Sequence, residues 1–159
     1  MDCKEALKEN AGDLEQAAGW LRQKGISKAD KKAARETKEG RIGSYIHMGG
    51  RVGVLVEVNC ETDFVAKTDE FDELVTSIAM QIAAMNPLYV SRDQVSQETI
   101  DSEIAGYKAA AIEDGKPENI ADKIAQGKVD KYFQSQCLME QPYIKDDKMT
   151  IEVILSSLM

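Results

Sequence analysis

The single histidine of the chain, His47, and its three cysteines, Cys3, Cys60 and Cys137, are the first side chains to weigh for chemistry. A Cys–His nucleophile pair would have to use His47, and no spacing singles out a partner thiol. Cys60 stands between Asn59 and Glu61, and a neighbouring carboxylate raises a thiol pKa instead of lowering it. A zinc site or a disulfide framework needs closer and more numerous ligands than these. The sequence contains no phosphate-binding glycine loop, no H-E-x-x-H pattern and no G-x-S-x-G elbow. What stands out is the run Asn59-Cys60-Glu61-Thr62-Asp63-Phe64-Val65-Ala66-Lys67. Phe64 has two readings there. Spacing alone favours an ordinary core aromatic where strand meets helix. The sharper reading is an exposed wedge, an apolar ring beside a carboxylate, built for insertion into a partner. Its chemistry is contact, with no bond made or broken.

The elements on either side of this run must hold it in place. Before it the periodicity is two: Ile42, Ser44 and Ile46 alternate with Arg41, Gly43, Tyr45 and His47, and Val52, Val54, Val56 and Val58 alternate with Gly53, Leu55, Glu57 and Asn59. Met48-Gly49-Gly50 joins the two halves into a β-hairpin. A two-residue Gly-Gly turn would pair Ile46 with Gly53 and split the apolar sets between faces. A three-residue loop pairs His47 with Arg51 and collects Ile42, Ile46 and the valines on one side. The three-residue loop is therefore expected, with Tyr45 and His47 together on the opposite face. After the run, Thr68 is placed to cap a helix whose stripe is Phe71, Leu74, Val75, Ile78, Ala79, Ile82 and Met85, ending at Asn86-Pro87.

Further along, Leu88-Tyr89-Val90 reads as a short extended piece. Ser96 opens a helix with Val95 and Ile100 set for a hydrophobic staple, a stripe of Ile100, Ile104, Tyr107 and Ala111, and a stop at Gly115-Lys116-Pro117. A long helix follows from about Glu118 to Met139, with Ile120 and Ile124 on one face and then Val129, Phe133 and Cys137 on a rotated stripe. Residues at about 96–139 thus form an antiparallel helix pair. Thr150 caps a last segment carrying Ile151, Ile154, Leu155 and Leu158. No second strand pair is evident, so a lone hairpin calls for a further strand or subunit. At the start, Asp2 with Glu5 and Asp13 with Gln16 have the form of capping boxes. Leu14, Ala17, Ala18 and Leu21 make one helical face, and Gly25 sits at a helix C-terminus. The fold class is α+β: a helical segment over 1–25, a charged linker over 26–39, and a core over 40–159.

The net charge of −8 offers no basic sheet for a phosphate backbone, so nucleic acid is not expected as a direct partner. No apolar run reaches the ~18 residues a membrane span needs. The acidic start lacks the features of a signal or transit peptide. The scattered cysteines fit reduced thiols in a reducing compartment.

The run Val54-Leu55-Val56-Glu57-Val58-Asn59-Cys60-Glu61-Thr62-Asp63-Phe64-Val65-Ala66 resembles the signature of translation elongation factor Ts. So do Met1-Asp2-Cys3-Lys4-Glu5-Ala6-Leu7, Gly12-Asp13 and Trp20-Leu21-Arg22-Gln23-Lys24-Gly25, which resemble two helices of that family's ubiquitin-associated-like N-terminal domain. Ile42-Gly43-Ser44-Tyr45-Ile46-His47, Gly115-Lys116-Pro117, Ile124-Ala125, Gly127-Lys128 and Gln141-Pro142-Tyr143 follow in the family's order. The undivided core is similar to the short bacterial and plastid type. The family's first N-terminal helix and its final strand have no counterpart in the sequence.

The resemblance implies a guanine nucleotide exchange factor for the GTPase elongation factor Tu, with no cofactor and no catalytic chemistry of its own. It implies that Asp63 and Phe64 intrude near the Mg²⁺ ion that bridges the GTPase to GDP, with Thr62 and Val65 framing them. It implies further contacts from His47, Tyr45 and Met1, a homodimer through the core, and residence in bacterial cytoplasm or plastid stroma. A relative that binds the GTPase without exchange activity is the alternative reading.

Overall fold

Strands of alternating pattern need something to cover one face, and here a long amphipathic helix does so. The computed structural model describes residues 2–21 and 37–157. Strands β1 (Glu39–Ile46) and β2 (Gly53–Cys60) form an antiparallel hairpin. The short helix α3 (Asp63–Ala66) follows, then the long helix α4 (Asp69–Met85). Helices α5 (Gln97–Glu113) and α6 (Glu118–Gln136) pack against each other. A second small sheet, β3 (Pro142–Tyr143) with β4 (Asp146–Thr150), precedes α7 (Ile151–Ser157). N-terminal to all of these are α1 (Asp2–Glu9) and α2, residues 14–21. The architecture is α+β, as expected.

Several starts and stops fall where the sequence places them. The Thr68 hydroxyl accepts from the Phe71 amide at 3.2 Å, and α4 ends with Asn86 in the left-handed region at φ 46°. Ser96 caps α5 through the Thr99 amide at 3.2 Å, and Thr150 receives the Val153 amide at 3.3 Å. Asp13 Oδ1 accepts the amides of Glu15 and Gln16, both at 2.9 Å, and Gln16 returns a bond to Oδ2. The Asp2 side chain, Gly25 and the linker residues 26–36 lie outside the described residues.

Four expectations need correction. The hairpin pairs Tyr45 with Val54 and Ile46 with Gly53, and His47 donates its amide to the Val52 carbonyl, so the loop is four residues, 48–51. The apolar sets therefore lie on opposite faces. Val54, Val56 and Val58 share the inner face with Gly43 and Tyr45, while Ile42, Ile46 and Leu55 point outward at 71%, 73% and 79% exposure. Gly43 explains the choice: α4 comes so close that any Cβ there would overlap Val75 Cγ1. A register that turned Ile42 or Ser44 inward would push the helix off. Second, β3 and β4 are a strand pair where none was expected. Third, the buried seam of α6 is Ala121, Ala125, Val129 and Phe133, and Ile120 is exposed. Alanines let the two helix backbones approach closely. Fourth, Leu14 and Ala18 are exposed, and Ala17 is the buried residue of α2.

Two clusters form the core. Cys60, Phe71, Leu74, Val75, Ile78, Leu138 and Ile151 join the hairpin, α4 and α7. Val95, Val129, Phe133 and Cys137 root the helix pair, with Ile100, Ile104 and Tyr107 against them. The Arg92 guanidinium lies 4.4 Å over the Phe133 ring and pairs with Glu140. Between the clusters a fully buried amide pair is satisfied throughout. Gln81 donates to Gln141 and to the Pro142 carbonyl, both at 3.1 Å, and accepts the Ile144 amide at 2.9 Å. That network fixes the second sheet to the middle of α4.

Candidate functional site

The hairpin leaves its last pair, Glu39 with Cys60, at the doorway to α3. Cys60 is buried, and its thiol donates to the Thr62 carbonyl at 3.2 Å. Thr62 has extended backbone, and its hydroxyl accepts the Val65 amide at 3.3 Å, which opens a single turn of helix. That turn closes at once: the Lys67 amide donates to the Phe64 carbonyl at 3.3 Å and the Thr68 amide to the Val65 carbonyl at 3.1 Å. The Thr68 hydroxyl also donates to the Val65 carbonyl at 2.9 Å, while capping α4. One side chain thus ends the short helix and begins the long one.

On this turn Ala66 packs against the core, and Phe64 is two residues earlier. Two helical residues subtend about 200°, so an inward Ala66 turns Phe64 outward. The ring is 78% exposed, and Val65 beside it is exposed too. Exposure of so large an apolar ring on an ordered element is uncommon for a side chain with no partner to meet. The wedge reading of its position is the one the structure matches.

Asp63 lies at the base of the ring and pairs with Lys67 at 2.7 Å, one turn on. The hydrogen bond from Lys67 holds the Asp63 carboxyl below the ordinary carboxylate value, and the same bond raises the Lys67 ammonium. Asp63 is therefore ionised at neutral pH and presented with a fixed direction. The role of Lys67 was not drawn from the sequence, although an acid and a base four residues apart are the usual signal for such a pair.

Tyr45 and His47 do lie together, sharing a hydrogen bond of 3.1 Å between Tyr45 Oη and His47 Nδ1. They do not join the Phe64 site. His47 is beyond the Ile46–Gly53 end of the hairpin, seven residue steps from the Glu39–Cys60 end, a separation of roughly 24 Å. The same geometry keeps the imidazole away from Cys60. Met1 lies outside the described residues. Among the described residues no three carboxylate, thiol or imidazole groups are placed to hold a metal ion, and no helix is long and apolar enough to cross a membrane. The site is a rigidly mounted ring and acid, suited to prising apart packed elements of another protein.

Known proteins carry the same pattern. The family described as Elongation factor TS matches residues 26–158. The chain is 56% identical over 156 residues to "Elongation factor Ts" of Nitratidesulfovibrio vulgaris, covering 98% of this chain and 78% of that protein. It is 57% identical over 155 residues to the protein of the same name from Syntrophomonas wolfei, covering 97% and 72%. It is 54% identical over 156 residues to that of Geobacter sulfurreducens, covering 98% and 72%.

Proposed function

Because the chain belongs to the elongation factor Ts family, we propose that it accelerates GDP release from elongation factor Tu by inserting Phe64 and Asp63 between elements that hold the nucleotide's Mg²⁺ ion. The observation that carries this reading is the 78% exposure of Phe64 on a helical turn fixed at both ends. A ring already held in its inserted direction costs little ordering on binding. Phe64 fills an apolar pocket of the GTPase as the anchor of the interface. Asp63 arrives ionised, and its charge displaces groups that position the metal without itself ligating it. Loss of that divalent charge weakens the hold on GDP phosphates. By linkage, whatever tightens the factor on the empty GTPase loosens the nucleotide equally. Thr62 sets the turn, and Val65 borders the wedge.

The same reading assigns Tyr45 and His47 to a second contact. Since roughly 24 Å of strand separates them from the wedge, one GTPase would meet Phe64 of one copy and His47 of another. The outward face of Ile42, Ile46 and Leu55 supports such a homodimer, because it is apolar and uncovered among the described residues. The 1–25 segment, with Met1, is assigned to docking on the GTPase. The bacterial sources of the relatives favour bacterial cytoplasm over plastid stroma.

The direct test is release of a fluorescent GDP analogue from elongation factor Tu, followed by stopped flow while this chain is titrated in. The observed rate should climb with factor concentration to a plateau well above the spontaneous rate. A trace that stays at the spontaneous rate while the two proteins still associate would refute exchange activity.

A further inference from the structure

The outer edge of β2 faces an open groove. In antiparallel pairs, hydrogen-bonded and non-bonded residues alternate. The bond between His47 and Val52 sets the phase, so Val54, Val56, Val58 and Cys60 bond to β1, while the amides and carbonyls of Glu57 and Asn59 point away from it. Beside that edge is a groove of about 610 Å³, running along β2 from Val56 to Thr62 with no β1 residue in its wall. Its floor is apolar, built from Val58, Leu74, Ile78, Leu138, Ile151 and Leu155. Its charged lining is all of one sign: Glu57, Glu61 and Glu70 border it, and no lysine or arginine among the described residues does.

We propose that this groove is a strand-acceptor site, taking an extended segment of another polypeptide whose alternate residues are aliphatic and whose intervening residues are lysine or arginine. The backbone of such a strand bonds to Glu57 and Asn59, as in β-augmentation. One set of its side chains fills the apolar floor. The other set lies opposite Glu57, where an opposite charge across the strands is favourable. A second copy of this chain is a poor occupant, because its described residues contain no unpaired run alternating aliphatic with basic side chains. The outward face of the hairpin, argued above for self-association, is a different surface, so the two proposals stand or fall separately.

The test uses the 159-residue chain and short capped peptides alternating valine with lysine and arginine, about the length of β2. Binding is read by fluorescence anisotropy, and amide hydrogen exchange reports where the peptide sits. Expected results are saturable binding with slowed exchange at Glu57 and Asn59. Two N-methylated peptides, blocked on alternate residues of either parity, should differ by about tenfold, since only one parity removes bonds to β2. A peptide with glutamate in the basic positions should bind at least as much more weakly. The proposal is overturned by equal binding of both methylated peptides, by equal binding of the acidic peptide, or by no binding at millimolar peptide. It is overturned too if the Glu57 and Asn59 amides are already protected in the free chain, which would make the occupant a second copy or a segment of the chain itself.

Discussion

Replacing Phe64 with alanine isolates the wedge, because the ring contributes little to the fold that carries it. Full burial of a phenylalanine side chain is worth up to about 3 kcal/mol. With 78% of the residue exposed, most of that remains available to a partner, roughly 2 kcal/mol after the alanine methyl is allowed for. Two kilocalories correspond to a factor of about thirty, and incomplete desolvation of the pocket lowers the expectation to between about ten and thirty. The buried remainder of the ring is worth well under 1 kcal/mol to stability, so the urea midpoint should hardly move. Stopped-flow release of a fluorescent GDP analogue, titrated with factor, separates two outcomes. If Phe64 only helps docking, the plateau rate survives and half-saturation shifts to higher concentration. If the ring is what displaces the nucleotide's supports, the plateau itself falls. The second is expected, with Phe64→Leu intermediate. A plateau within twofold of wild type for Phe64→Ala would refute the reasoning, whatever happened to the affinity.

Three further perturbations probe the mount and its surroundings. Thr62→Ala removes the cap of α3, a loss of about 1 kcal/mol local to one turn, and should cut the exchange slope several-fold with little change in the urea midpoint. Asp63 has a depressed carboxyl pKa through Lys67, so its pair is intact above the ordinary carboxylate range and lost as pH falls through the depressed value. Exchange should then show no Asp63 titration over roughly pH 6–8, while carboxyl NMR of Lys67→Met should find the Asp63 midpoint moved back up to the ordinary range. Gly43→Val drives a side chain into Val75, and should destabilise the fold by about 1–3 kcal/mol in urea unfolding.

What the sequence made legible is what neighbours along the chain decide. Thr68, Ser96, Asp13 and Thr150 cap helices because a hydroxyl or carboxylate need only reach an amide two or three residues on. The α4 stripe was legible for the same reason: Phe71, Leu74, Val75 and Ile78 repeat at helical spacing and are buried. The hairpin register was not legible, because it depends on an approach between elements thirty residues apart. Only the contact of Val75 with the bare backbone at Gly43 shows why the isoleucines must face out. In α6 apolar volume pointed to Ile120, whereas a close helix pair selects the small Ala121 and Ala125. The strand pair of β3 and β4 was hidden by charge, since Asp146-Asp147-Lys148 has no alternating pattern and is held by Gln81 from α4. At Phe64 spacing favoured the core. The outcome turned on Ala66 reaching the core first, which spends the inward direction of a single helical turn.

The aim of the wedge follows from this chain of contacts. Gly43 lets the hairpin lie flat on α4, and Val56 and Val58 cement it there. Thr68 then ties the last turn of α3 to the first turn of α4 through one hydroxyl. Phe64 therefore takes its direction from α4 at one end and from the buried Cys60 at the other. A one-turn helix has no stability of its own, so a wedge built on it stays rigid only while both supports hold. The arrangement places the burden of exchange on residues that never touch the GTPase: loosening Thr68 should blunt Phe64 nearly as much as removing the ring, whereas an equal loss of stability at the far end of α5 should leave it sharp.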